Sequence, residues 1–154
     1  MIPVKILNLS SNPNPRYETE DSAGFDLACN ETVSIRPGGV KLIPTGIRVV
    51  IPKGYEGQLR FRSSMYKTGA VMPNAPGTID SDYRGEIMIP VRNVFQWETI
   101  TFERGQRIAQ LVINELPKID LEYVNSAEYS CYDDTARGEG GFGSTDSSDD
   151  GLSL

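Results

Sequence analysis

The chain reads as an all-β protein, a sandwich or jelly roll, on three observations. Short Val- and Ile-rich runs recur along most of its length, turn residues separate them, and only one stretch has helical character. Val40 to Ile51 is rich in Val and Ile, and Gln58-Leu59-Arg60-Phe61-Arg62 alternates polar and apolar residues with the period of a half-buried strand. Ile87 to Val91, Glu98 to Phe102 and Ile108 to Ile113 continue the series, and Pro37-Gly38-Gly39, Pro52-Lys53-Gly54 and Arg104-Gly105 punctuate it as turns. The one expected helix is short, capped near Ser64, running through Met65-Tyr66-Lys67 and stopping at Gly69.

A chain of 154 residues with 38% hydrophobic content supports one core and little more. We expect a β body over residues 1–132 and a flexible Gly-rich arm over 133–154, where glycines and serines follow one another without an apolar face. Net charge is −6, of which −5 falls in that arm: Asp133, Asp134, Glu139, Asp146, Asp149 and Asp150 stand against Arg137. The body is close to neutral, which argues against non-specific nucleic-acid binding and makes any phosphate site local. No run approaches the roughly 18 apolar residues of a membrane span. The Met-Ile-Pro-Val start also lacks the basic-then-apolar pattern of a leader, so a cytoplasmic location is expected. Cys29 and Cys131 form no metal-like cluster and are expected to be free thiols. The chain has no histidine, so catalysis must rest on carboxylates or on an oxygen-bound metal.

Five segments carry chemistry. Gly77 to Glu86 reads as a tight hairpin, with Ile79 and Ile87-Met88-Ile89 as flanking strands and Ser81-Asp82 and Gly85 supplying the turn. It presents Asp80 and Tyr83 together, a carboxylate that can take a proton from water and a rigid ring that can gauge a sugar face; the other reading is a structural pair beside a turn. Arg137 to Thr145 imitates a phosphate loop in the spacing of Gly138, Gly143 and Thr145, but Ser144 stands where lysine belongs and no apolar helix follows. Its glycines, hydroxyls, Arg137 and Phe142 suit a phosphate and a base, and the alternative is a low-complexity linker. Arg62-Ser63-Ser64, at a strand end before a helix start, suits an anion but is also an ordinary cap. Gln110 lies on the opposite strand face from Ala109 and Leu111, either as surface polarity or to orient phosphate or water. Asp26 sits in the apolar Ala23 to Ala28 run, where a buried acid needs a partner such as Arg62 or Arg107.

In this order the five segments resemble the trimeric dUTPases, over about residues 1–145. The resemblance is carried by Ala23-Gly24-Phe25-Asp26-Leu27, Arg62-Ser63-Ser64, Asn74 with Gly77 to Gly85, Gly105 to Gln110, and Arg137 to Thr145. It implies a distorted jelly-roll subunit of the β-clip type and a homotrimer with active sites between subunits. It further implies dUTP as substrate, Mg²⁺ as cofactor, and hydrolysis to dUMP and pyrophosphate, which limits uracil in DNA and supplies dUMP for dTMP synthesis. By the same resemblance Asp80 activates the attacking water. Arg62, Ser63, Ser64 and Gln110 contact phosphates, and Arg137, Ser144 and Thr145 grip the γ-phosphate beside Gly143. Phe142 covers uracil, Tyr83 excludes a 2′-hydroxyl, and Asn74, Thr78, Ile79 and Met88 frame the base. No direct metal ligand is implied; Asp26 and Gln110 are candidates to hold metal-bound waters. Phe61, Ala28-Cys29 and the acidic extension Asp146 to Leu154 depart from the usual pattern. A dCTP deaminase of the same superfamily and a non-catalytic nucleotide-binding β module are the alternatives.

Overall fold

The computed structural model describes residues 2–141, in which eleven short strands, joined mainly by turns and loops, far outweigh the helical segments. In chain order these are β1 (Lys5–Asn8), β2 (Phe25–Ala28), β3 (Val33–Ile35), β4 (Val40–Pro44), β5 (Ile47–Val50), β6 (Tyr55–Phe61), β7 (Ala70–Val71), β8 (Gly77–Ile79), β9 (Met88–Asn93), β10 (Ile100–Phe102) and β11 (Arg107–Glu115). They form four antiparallel ladders: β1–β5, β3–β10, β2–β11–β6–β8 and β4–β9–β7. The predicted all-β class is therefore observed. Alternation places Leu27, Ile35, Ile43, Leu59, Ile89, Val91, Phe102 and Leu111 in one core, none more than 1% exposed.

Three local expectations are corrected. The Val40 to Ile51 run is two strands rather than one, because Thr45-Gly46 breaks it and sends β4 and β5 to different ladders. Gly77 to Glu86 is not a hairpin: β8 pairs with β6, β9 pairs with β4 and β7, and no rung joins β8 to β9 among the described residues. The segment crosses from one sheet to another, so its turn residues shape a loop instead of closing a ribbon. The short helix is a 3₁₀ turn over Ser63–Lys67 that starts two residues earlier than expected; Arg62, not Ser64, is the cap residue, and no side chain caps it. Buried Met65 anchors that turn, which ends at Thr68 before Gly69.

The described residues divide into two units after Lys118, ahead of the composition change at Tyr132. In the second unit, α1 (Ser126–Tyr129) carries a reciprocal cap in which Asn125 accepts from the Glu128 amide and Glu128 accepts from the Asn125 amide. The Asn-x-x-Glu spacing of that box was the available sequence signal for this second helical segment. Ile119, Leu121 and Tyr123 alternate with charged residues in an extended stretch and are all exposed.

Candidate active site

The first half of the site is built on the paired strands β2, β11 and β6. Asp26 stands opposite Gln110, and Gln110 opposite Arg60, so the three share one face. A bulge on β11 between Arg107 and Ala109 turns both Ile108 and Ala109 inward, each 0% exposed. The same shift brings Arg107 to the face of Gln110 and Asp26, where regular alternation would have pointed it at the core. Arg62 leaves the end of β6 with its amide bonded to the Ile108 carbonyl (3.0 Å). Its Nε lies 3.1 Å from Asp26 Oδ1, and Arg107 Nη1 lies 3.2 Å from Asp26 Oδ2. Both partners proposed for the buried acid are thus present together. Asp26 Oδ2 is buried and accepts no hydrogen bond among the described residues, because Arg107 approaches it out of line.

Asp26, Arg62, Ser63, Gln110, Gly24 and Glu18 line a cleft of about 220 Å³. Gly24 is needed there: a Cβ would sit 2.8 Å from the Leu111 carbonyl and 3.1 Å from Gln110 Oε1, closing the space above the amide. Ser64 is exposed on the 3₁₀ turn and does not line this cleft.

Asp80 stands elsewhere, on the crossover loop after β8, in an open cleft of about 640 Å³ with Ser81, Asp82, Arg84, Lys53 and Glu56. The loop is held by backbone groups rather than by ion pairs. The Tyr83 amide donates to the Asp80 carbonyl (3.1 Å), and Arg84 Nη1 donates to the Ser81 (2.7 Å) and Tyr83 (2.8 Å) carbonyls. Tyr83 Oη donates to the Glu86 carbonyl (2.9 Å), laying its ring over Gly85, where any Cβ would overlap the hydroxyl. The far end is pinned from the β4–β5 turn: Thr45 Oγ1 donates to the Ile87 carbonyl (2.7 Å), and the Gly46 amide donates to Glu86 Oε1 (2.7 Å). No ion pair reaches Asp80 among the described residues.

Gln58↔Thr78 and Gly57↔Ile79 are ladder pairs, and Met88 opens β9 opposite Pro44. The Asn74 side-chain amide lies beside Gly77. Asn74, Thr78, Ile79 and Met88 therefore flank the Asp80 loop, while Arg62, Ser63 and Gln110 gather around Asp26. Strand β6 separates the two groups: Ile79 pairs with Gly57, and Arg62 lies five residues further on, some 17 Å away at about 3.4 Å per residue. One copy of the chain does not bring Asp80 to the Asp26 cleft.

In the second unit, Arg137 Nε donates to the Gly140 carbonyl (2.8 Å), folding a small turn around Gly138. Phe142, Gly143, Ser144 and Thr145 lie outside the described residues. Reading the sequence missed Glu18, Thr45, Arg84 and Glu86. The Pro44-Thr45-Gly46 break between two apolar runs was a usable signal for Thr45; nothing in the polar Arg16-Tyr17-Glu18 stretch marked Glu18.

Comparison with known proteins accounts for this arrangement of motifs. The dUTPase family model matches residues 11–146. A deoxyuridine 5′-triphosphate nucleotidohydrolase of Anaeromyxobacter sp. is 50% identical over 132 residues, 85% of this chain and 86% of that protein. The enzyme of the same name from Anaplasma marginale is 46% identical, covering 94% of this chain and 99% of its own. Among solved structures, a Staphylococcus bacteriophage 80alpha dUTPase variant with dUpNHpp superposes with a TM-score of 0.81 at 29% identity, over 93% of this chain and 98% of that one. A dUTPase of phage phi11 of S. aureus, whose structure reveals coordination of a structural Mg(II) ion, gives a TM-score of 0.75 at 27% identity, over 82% of this chain and 99% of that one. With its motifs, its β architecture and these relatives in agreement, the chain belongs to the dUTPase family.

Proposed function

We propose that the protein hydrolyses dUTP to dUMP and pyrophosphate in a homotrimer whose sites are assembled from more than one copy. The observation that carries this reading is the separation of the two half-sites by the length of β6, each lined by residues of the family motifs. A neighbouring copy can supply the Arg62, Ser63 and Gln110 cleft to the Asp80 loop, as closed symmetric assemblies commonly do. The exposed Ile119, Leu121 and Tyr123 stretch gives apolar surface for such an assembly to cover.

Asp80 takes a proton from the water that attacks the α-phosphorus. A P–O bond forms to that water, the bond to the α,β-bridging oxygen breaks, and pyrophosphate leaves. Ser63 hydrogen-bonds the bridging oxygen as its charge grows, and Arg62, Ser64 and Gln110 hold phosphate oxygens. Tyr83 packs on the deoxyribose and rejects a 2′-hydroxyl; Asn74, Thr78, Ile79 and Met88 frame uracil. Arg137, Ser144 and Thr145, with the Gly143 backbone, close on the γ-phosphate while Phe142 covers the base, in an arm that runs from residue 133 onward.

Mg²⁺ fits as an ion carried on the triphosphate. No group of three acidic, His or Cys side chains that could cage a metal occurs among the described residues, and Asp26 is already shared between two guanidiniums. Gln110 and the Asp26 carboxylate, which line the cleft, are the groups that would receive metal-bound waters. When bound, the ion offsets phosphate charge. A cytoplasmic setting fits the two free thiols, and no described helix is long and apolar enough to cross a membrane.

Release of dUMP and pyrophosphate from dUTP, measured with Mg²⁺ beside UTP and dCTP, tests the proposal. Turnover of dUTP alone is expected; ammonia from dCTP, or no turnover of any of the three, overturns it.

A further inference from the structure

We propose that Glu18 is a positioning residue for Arg62, acting through Arg107 and Asp26; the inference rests on the phosphate role given to Arg62 above. Five charged side chains form one continuous chain of contacts, beginning at the exposed Arg16, whose Nε lies 3.6 Å from Glu18 Oε1. Glu18 Oε1 pairs with Arg107, Arg107 Nη1 lies 3.2 Å from Asp26 Oδ2, and Asp26 Oδ1 lies 3.1 Å from Arg62 Nε. Asp26 is the most buried, its side chain 12% exposed against 32% for Arg62, 38% for Glu18 and 42% for Arg107.

One carboxylate thus stands between two guanidiniums that repel each other, and its orientation depends on what else holds them. Arg107 has a second carboxylate in Glu18, whereas Asp26 is the one carboxylate on Arg62 among the described residues, Arg62 Nη1 otherwise making only a long hydrogen bond to the Arg107 carbonyl (3.4 Å). Arg107 approaches Asp26 Oδ2 without hydrogen-bond alignment, and Oδ2 accepts no hydrogen bond among the described residues. That is the geometry of a guanidinium held mainly from its other side. Glu18 therefore occupies Arg107 and leaves Asp26 free to orient Arg62 beside Ser63.

Removing Glu18 leaves the whole charge of Arg107 to Asp26. The carboxylate turns toward it, and Arg62 loses its anchor and must be ordered again each time a phosphate binds. A second effect opposes this, because the cleft also becomes more positive. At about 0.15 M salt, where the Debye length is about 8 Å, the exposed Glu18 charge is screened more than the mostly buried Asp26–Arg62 pair, so the loss of positioning dominates.

The test compares wild type, Glu18→Gln, Glu18→Ala and the double variant Glu18→Ala/Arg107→Met at that salt concentration. Two quantities are read: the Kd for dUpNHpp and the steady-state kinetics of pyrophosphate release. Both single variants are expected to raise Kd and KM about 5- to 10-fold, the scale of re-ordering one long side chain, with kcat within about two-fold. The double variant is expected to return to within about two-fold of wild type, because no second guanidinium then competes for Asp26. A role confined to stability would not produce that rescue. Unchanged affinity in both single variants, or a double variant no better than Glu18→Ala, overturns the inference. Glu18→Gln keeps the side-chain shape and decides the matter if the alanine variant is unstable. Wild-type protein that binds dUpNHpp but releases no pyrophosphate refutes the functional reading alone, and affinity then decides the role of Glu18; wild-type protein that does neither refutes both.

Discussion

The two carboxylates central to the site are held in opposite ways. Asp26 lies on a strand, half-buried, opposite Gln110 and flanked by two guanidiniums. Asp80 lies on an exposed crossover loop whose order comes from backbone hydrogen bonds, with no cation paired to it among the described residues. The difference teaches how work is divided. A carboxylate shared between two arginines has its oxygens occupied in orienting them, whereas one held through its own main chain keeps its oxygens open to water.

Changing the unpaired carboxylate tests that division most severely. Asp80→Asn is expected to lower kcat about 10²- to 10⁴-fold, the usual worth of a general base, while the Kd for dUpNHpp stays within a few-fold. Loss of affinity in step with rate would give Asp80 a binding role and erase the contrast with Asp26.

The second experiment asks whether the two regions belong to different copies. Asp80→Asn and Arg62→Ala chains, each nearly inactive alone, are unfolded together and reassembled. Random mixing pairs an intact Asp80 loop with an intact Arg62 cleft in about a quarter of the sites, so about a quarter of wild-type activity should return. Mixed material no more active than its parents would mean that each chain completes its own site.

A smaller effect sharpens the account of the loop. Thr45 is 1% exposed, donates to the Ile87 carbonyl and accepts from the Ile47 amide (3.1 Å). Thr45→Val keeps the shape but strands two buried backbone groups, and should cost about 1–3 kcal/mol in urea unfolding. A drop in kcat larger than any change in dUpNHpp affinity should accompany it, since the Thr45 hydroxyl bonds the end of the Asp80 loop and makes no hydrogen bond to Asp26, although both border one cavity. Equal effects on both would dissolve the distinction.

The smallest effect belongs to the strand framework behind Asp26. Cys29 follows β2 directly, and burial pushes its thiol from the ordinary 9.0 up to about 11, against a weaker backbone hydrogen bond. The folded state therefore holds this proton more tightly than the unfolded state. The stabilisation is intact below pH 9.0 and is lost as pH climbs toward about 11. Over that window wild type should lose more of its urea midpoint than Cys29→Ala; parallel profiles would remove the thiol from the balance.

How much was legible follows from the kind of order involved. The Asp26, Arg62 and Gln110 face could be read because strand alternation and the burial rule for charges act on neighbours in sequence, and they named Arg62 and Arg107 as partners of Asp26. The Asp80 segment was misread as a hairpin because turn residues between two apolar runs look alike whether the runs pair with each other or with strands elsewhere. Glu18 carried no local signal, since its meaning depends on a guanidinium 89 positions away in the chain.

The order of residues by itself determined the β class, the scarcity of helix, the absence of histidine chemistry and the set of motif side chains, all properties of composition and short-range period. Only the tertiary structure decided that β8 and β9 part to different sheets, that a bulge brings Arg107 to Asp26, and that β6 holds Asp80 away from Arg62. Those outcomes depend on which strands pair, and pairing is settled by burial of the whole core rather than by any residue's neighbours.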